Sequence, residues 1–205
     1  MVQVRLSLFI PRREFTVEPT KTNVMGRLVG RDKASIDDRG RIQISRSKLS
    51  ALGENPMMVL GEMSQVVVFS DDGWEKWYGE FADLPIANPD RDHYLRLVLA
   101  DAESDLKADA QGRIVVPTKI REKARLRGEL VIFGMIEKLE IWSLEEFERY
   151  TEEGETYGGR RRIEMRQAYE GLRSAVSLHR QTNQDAGQQL LKVLMGGVAS
   201  PSISR

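Results

Sequence analysis

Asp37-Asp38-Arg39-Gly40-Arg41-Ile42 returns 72 residues later as Asp109-Ala110-Gln111-Gly112-Arg113-Ile114. Four of the six positions match, too few to exclude chance in a chain of 205 residues, so the flanking order decides whether one unit is used twice. After each Gly-Arg an apolar run, Ile42-Gln43-Ile44 or Ile114-Val115-Val116, reads as a short strand leaving a turn. A short helical pattern follows each. Pro117 suits the start of the second, where a missing N–H costs nothing, and Ile120, Ala124 and Leu126 supply its buried face. In the first, Ser45 stands in place of Pro117, with Leu49 and Leu52 as the apolar positions. Further on, Met57-Met58-Val59-Leu60-Gly61 parallels Leu130-Val131-Ile132-Phe133-Gly134, and Val66-Val67-Val68-Phe69-Ser70 parallels Leu139-Glu140-Ile141-Trp142-Ser143, now offset by 73. One inserted residue accounts for the change. Acidic helix starts come next, at Asp71-Asp72-Gly73-Trp74 and Leu144-Glu145-Glu146-Phe147. Each unit therefore reads strand, Gly turn, strand, helix, strand, strand.

With 40% apolar residues the chain has material for one or two small cores. It contains no cysteine, which excludes disulfides, thiolate metal sites and cysteine nucleophiles and is compatible with a reducing cytoplasm. The two histidines, His93 and His179, are too few and too separated for a metal cluster, so neither metal nor cofactor is expected. No run is long enough to span a bilayer, and the apolar residues 2–10 are followed by Pro11-Arg12-Arg13 without a small-residue cleavage site. No membrane partner or signal peptide is expected. There is also no phosphate-binding Gly loop and no credible catalytic triad, which argues against an enzyme.

Formal net charge is zero, but its distribution is uneven. Residues 25–49 hold seven Lys/Arg against three acids, net +4, and residues 107–127 hold seven against two, net +5. Residues 62–105 hold eleven acids against three bases, net −8, and residues 137–155 eight against two, net −6. Positive charge thus gathers at the two Gly-Arg units, as phosphate binding requires, although solvated helices would also account for part of the pattern.

These motifs together resemble the MraZ family of bacterial transcriptional regulators, over about residues 31–150. Chains of that family carry two AbrB-type (SpoVT-AbrB) units with an Asp-x-x-x-Arg signature in each. The second copy is the fuller match: Asp109, Gly112, Arg113, Pro117 and Arg121 hold the spacing, whereas the first has Ser45 and Leu49 where the second has Pro117 and Arg121. The resemblance implies an α+β fold that is mainly β with short helices, in which two swapped-hairpin units form one pseudo-twofold barrel. A C-terminal helical extension completes it. The expected organisation is an N-terminal extension (1–30), unit 1 (31–74), a helical connection (75–103), unit 2 (104–150) and a helical extension with a loose tail (151–205). Met25-Gly26-Arg27 resembles a family start, leaving residues 1–24 as an extension or an upstream start-codon choice. By the same resemblance the protein is cytoplasmic and nucleoid-associated, and forms a homo-oligomer, a ring, on double-stranded DNA. There it would bind short repeated sites upstream of the division and cell-wall gene cluster.

The motif has its own physical logic. Gly40 and Gly112 suit a turn that needs positive φ, and Asp37 and Asp109 can close it through their own backbone or pair with the following arginine. An arginine on a rigid turn beside a two-stranded ribbon can bond guanine O6 and N7, which makes Arg41 and Arg113 candidates for base contact in two spaced elements. Arg39, Arg46, Lys48, Lys119, Arg121 and Arg125 are candidates for phosphate contact. A helix opened by Asn88-Pro89, carrying Tyr94, Leu95, Val98 and Leu99, would pack on its own barrel or on a neighbour.

Residues 151–159 read as a linker or helix break. Arg160-Arg161-Arg162 then opens a helix with Ile163, Ala168, Leu172 and Val176 on a stripe, either a solvated helix with one packed face or a basic surface for nucleic acid. Residues 181–189 read as loose, residues 190–198 as a short apolar helix for self-association, and residues 199–205 as disordered. A second function remains open on these residues: an oligomeric protein-interaction module using the same barrel without specific DNA binding.

Overall fold

The computed structural model describes residues 28–104 and 106–196. Period-two burial builds the central sheet. In β3 (Met57–Leu60) and β4 (Val66–Phe69), Met58, Leu60, Val66 and Val68 face one side while Val59 and Val67 face the other, and all six are buried. The sheet is completed by β1 (Arg31–Ser35), β6 (Glu129–Gly134) and β7 (Lys138–Ser143), all antiparallel, in the order β1-β6-β7-β4-β3. Strands from the two copies meet at the centre, where Val66 lies opposite Ile141 and Val68 opposite Leu139. A separate two-stranded ribbon pairs β2 (Arg41–Gln43) with β5 (Arg113–Val115).

Helices cover both faces. On one, α1 (Arg46–Leu52), α4 (Thr118–Lys123) and the ribbon enclose a core of Ile42, Ile114, Ile120, Ile132, Leu139 and Ile141, each at most 2% exposed. Full burial of such a side chain contributes roughly 1.5–3 kcal/mol, so this layer holds the two copies together. On the other face, α2 (Asp71–Gly79), α3 (Pro89–Leu99) and α6 (Gly159–Gly196) enclose Val59, Val67, Phe81, Tyr94 and Leu172. There too α5 (Leu144–Glu153) covers the other end of the sheet, with Phe147 against Phe133 and Trp142. Its neighbour Tyr157 donates to buried Glu146 at 2.7 Å. Burial opposes ionisation of Glu146, but that hydrogen bond and the cations of Arg125 and Arg149 outweigh it and hold the carboxyl below its ordinary value.

The fold is thus α+β with antiparallel sheets and a C-terminal helix, as the sequence reads, but helix outweighs strand where a mainly β chain with short helices was expected, because α6 alone runs through 38 residues, and the expected barrel does not close. The five-stranded sheet is open, with β1 and β3 at its edges. The strand expected to lead into the second Gly turn is reduced to one bridge, Glu103 to Met58, with backbone hydrogen bonds of 2.9 and 2.8 Å. Its partner β3 has four residues, against six in β6, and offers a shorter edge.

The ends differ as well. Residues 151–159 do break the helix, through a 3-10 turn at Gly154–Thr156. Residues 181–189, read as loose, continue α6, because extension of an existing helix gains one hydrogen bond for each residue fixed and avoids the cost of nucleation. Ile163 is 58% exposed, and the buried stripe is Met165, Ala168 and Leu172. The basic triplet at its start is largely used inside the fold: Arg161 donates to the carbonyls of Leu60 and Gly61, and Arg162 to those of Gly154 and Tyr157. Leu190 and Leu191 are exposed on the projecting end of α6, while residues 1–27 and 197–205 lie outside the described residues.

Two glycines of α2 should answer alanine with opposite sign. A Cβ on Gly73 would overlap the carbonyl oxygen of Glu137, whereas one on Gly79 meets nothing within 4 Å. In urea denaturation Gly73→Ala should lower stability by about 1–3 kcal/mol. Gly79→Ala should raise it by up to about 1 kcal/mol.

Candidate nucleic-acid interface

Both Gly turns are built alike. Asp37 Oδ1 accepts from the backbone N–H of Arg39 at 3.0 Å and of Arg41 at 2.9 Å, and Asp109 Oδ1 from those of Gln111 at 3.0 Å and Arg113 at 2.9 Å. The Gly40 N–H closes on Asp37 O and the Gly112 N–H on Asp109 O, both at 2.8 Å. Gly40 at φ +77° and Gly112 at φ +80° adopt the left-handed conformation that a side chain resists.

Each aspartate then turns its second oxygen to the arginine. Asp37 Oδ2 accepts from Arg41 Nε at 2.6 Å, and Asp109 Oδ2 from Arg113 Nε at 2.8 Å. Arg113 also donates to Gln111 Oε1 at 3.0 Å. Closing the turn and aiming the guanidinium are therefore one act of one carboxylate. Both carboxyls sit below their ordinary value, Asp37 chiefly through the Arg41 backbone N–H and Asp109 chiefly through the Arg113 side chain, with partial desolvation opposing in each.

Pairing in the ribbon brings the two turns onto one surface. Arg41 lies opposite Val115 and Gln43 opposite Arg113, while Ile42 and Ile114 point into the core. Alternation leaves Arg41, Gln43, Arg113 and Val115 on the outer face. Arg41 and Arg113 are diagonal neighbours, and in an antiparallel pair this places their Cβ atoms about 7–8 Å apart. The two arginines lie 72 residues apart in the sequence, but strand pairing between the copies brings them onto one face. Gln43, which sequence reasoning passed over, donates to Gln111 O at 2.7 Å and ties the first strand to the second turn. Its signal was the two-residue spacing from Arg41.

The copies also support each other's turns. Val116 N–H donates to Gly40 O at 2.8 Å and Ile44 N–H to Gly112 O at 3.1 Å. Arg121 of the second copy lies against Gly40 and donates to Asp38 O at 3.4 Å, whereas Leu49 of the first lies against Gly112. The distal arginine that the first copy lacks is therefore missing beside the second turn.

The phosphate candidates fall into three groups. Arg39, at the turn tip, and Arg46, at the start of α1, are exposed and carry no ion pair among the described residues. Lys119 and Arg121 lie on α4 with prior partners. Lys119 bonds Asp101 Oδ1 at 2.7 Å, and Lys123 holds the other oxygen of that carboxylate at 2.6 Å. Lys48 and Arg125 are placed elsewhere: Lys48 is 7% exposed and bonded to Asp32 at 2.7 Å, and Arg125 turns to Glu146 of α5 at 3.3 Å. Charge is sorted by the sheet. Acidic residues open α2, α3 and α5 on the face away from the ribbon, where they also favour the helix dipoles.

Among the described residues no helix is long and apolar enough to cross a membrane, and no group of acidic or histidine side chains is placed to hold a metal ion. The molecule is a tandem-repeat α+β protein whose two copies share one sheet and jointly present an arginine-bearing ribbon. The family model described as "MraZ protein, putative antitoxin-like" matches residues 28–97 and 99–158, and the chain belongs to the MraZ family. It is 32% identical over 122 residues to the transcriptional regulator MraZ of Alkaliphilus oremlandii, covering 60% of this chain and 85% of that one. The MraZ of Oenococcus oeni is 34% identical over 124 residues, covering 60% and 85%, and that of Chromobacterium violaceum 31% over 121 residues, covering 57% and 81%. The family match ends at residue 158, just before α6 begins at Gly159.

Three outcomes check this geometry. Asp32→Ala should destabilise the fold by about 1–3 kcal/mol, because it leaves the buried Lys48 ammonium without its partner. Arg46→Ala should stay within about 0.5 kcal/mol of wild type in the same urea titration. For Asp37 and Asp109, a folded value below the ordinary 3.8 means that their contribution is complete above that value and is lost as pH falls through the depressed one. Carboxyl-carbon NMR should show both titrating below 3.8, with the turns intact at neutral and mildly acidic pH.

Proposed function

We propose that this protein is a sequence-specific DNA-binding transcriptional regulator that reads short repeated sites as a multivalent oligomer. The observation that carries the proposal is the ribbon: two arginines, each buttressed by an aspartate, sit diagonally on one outward face. An ion pair through Nε leaves terminal N–H donors of Arg41 for guanine O6 and N7, and one such bidentate contact is worth about 1–3 kcal/mol of discrimination. Arg39 and Arg46 flank the ribbon as phosphate contacts, with Lys119 and Arg121 joining where phosphate displaces their present partners. The relatives carry the name of a transcriptional regulator, and the family is not one of enzymes.

The two units, residues 31–74 and 104–150, act in this reading as swapped hairpins related by a pseudo-twofold axis, which the interleaved strand order supports. One small ribbon binds weakly at physiological salt, and several copies in a ring would raise affinity through effective concentration. An apolar tip formed by Val29, Met135 and Ile136, at 53%, 47% and 57% exposed, suits a contact between ring members. Such a regulator would act in the cytoplasm on the nucleoid, at direct repeats before the division and cell-wall gene cluster.

Footprinting on DNA upstream of the protein's own gene tests the proposal. Arg41→Ala and Arg113→Ala should each weaken binding there by about 1–3 kcal/mol while changing binding to unrelated DNA far less. Arg46→Ala should weaken both and lower the salt slope by about one. Equal losses on both DNAs in the two ribbon variants would end the base-reading role. No retention of either DNA at low salt, with the oligomer intact, would favour the assembly module instead.

A further inference from the structure

We propose that a groove on the helical face of the sheet binds a small organic cation, an amine or quaternary ammonium with an apolar body. The inference does not depend on DNA binding. The groove has a volume of about 330 Å³, within the lower range of small-molecule sites. Its floor is formed by Val67 and Phe69 of β4 and by Lys138 and Glu140 of β7, which register directly across from them. Trp77 of α2, Tyr94 of α3, and Met165 and Tyr169 of α6 make the walls, and Glu62 and Glu80 are at the rim.

Three properties select a cation. Trp77 and Tyr169 each contact Tyr94, with ring centroids at 6.0 and 5.5 Å, so the three rings form a contiguous aromatic arc in the lining of the groove. The groove already holds one contact of this kind, since the Lys138 ammonium lies 5.9 Å from the centre of Phe69. The lining also carries three carboxylates against one ammonium. Lys138 is matched by Glu140 at 3.2 Å, Glu62 reaches Arg166 only at 3.9 Å, and Glu80 has no cation partner among the described residues, its carboxylate accepting from the Tyr169 hydroxyl at 3.4 Å. A cation with an apolar body would place its charge between Glu80 and the arc and its body against Val67, Val98 and Met165. An anion would meet the unmatched carboxylate of Glu80.

Met165 and Tyr169 belong to α6, beyond residue 158 where the family match ends. The groove is therefore completed by a part of this chain that the family unit does not supply.

Choline and its uncharged isostere 3,3-dimethylbutan-1-ol, titrated into the full chain at constant ionic strength, test the site by calorimetry, with intrinsic tryptophan fluorescence as a second readout. Choline should bind saturably and the isostere about tenfold more weakly or worse. Glu80→Gln at the rim and Tyr169→Ala in the partly exposed wall should each weaken choline by about three- to tenfold, with far-ultraviolet spectra unchanged. Equal binding of the two probes would reduce the groove to an apolar slot and overturn the proposal. So would a failure of choline to saturate, or choline affinity unchanged in both variants.

Discussion

The fold depends on an exchange of backbone hydrogen bonds between its two copies. Val116 N–H reaches the carbonyl of Gly40, Ile44 N–H reaches that of Gly112, and between these bonds β2 and β5 pair with Ile42 against Ile114. Neither three-residue strand would be stable alone, because a lone short strand has no partner for its polar backbone and no apolar face to bury. Joined, they cover the sheet with buried isoleucines and turn their alternate residues outward. The common outward face of the two arginines and the sharing of Arg121 and Leu49 between turns follow from that pairing.

One consequence is an asymmetry that two nearly equal motifs would not suggest. A charged side chain supports the first turn and an aliphatic one the second, so the turns differ in local charge though their aspartates make the same backbone hydrogen bonds. The acidic residues have a corresponding place. They open helices on the far side of the sheet, so a chain of zero net charge can hold a positive face beside the ribbon without self-repulsion.

Much of the architecture is legible along the chain because it is local. The strand doublets at residues 57–69 and 130–143, the Asn88 cap and Pro89, and the apolar positions of α1 and α4 all follow from period and from turn chemistry. The candidate site was half legible. Arg41 and Arg113 stand out as residues after a Gly turn, but Gln43 does not. Lys48, which looked like one more surface cation, is buried because its position on α1 faces Asp32 of β1. Burial of a lysine depends on a partner across the fold, which no local pattern announces.

By itself, then, the sequence determined the repeat, the turn that each motif builds and the type of nearly every element, because hydrogen bonding within four residues and side-chain periodicity are properties of a short stretch. Only the tertiary structure decided which copy each strand joins. It left the sheet open where a barrel was expected, drew the two arginines together, and set the first part of α6 against the sheet to wall a groove. Each of these is settled by contacts between residues far apart in the chain, and their free energy exists only once both partners are in place.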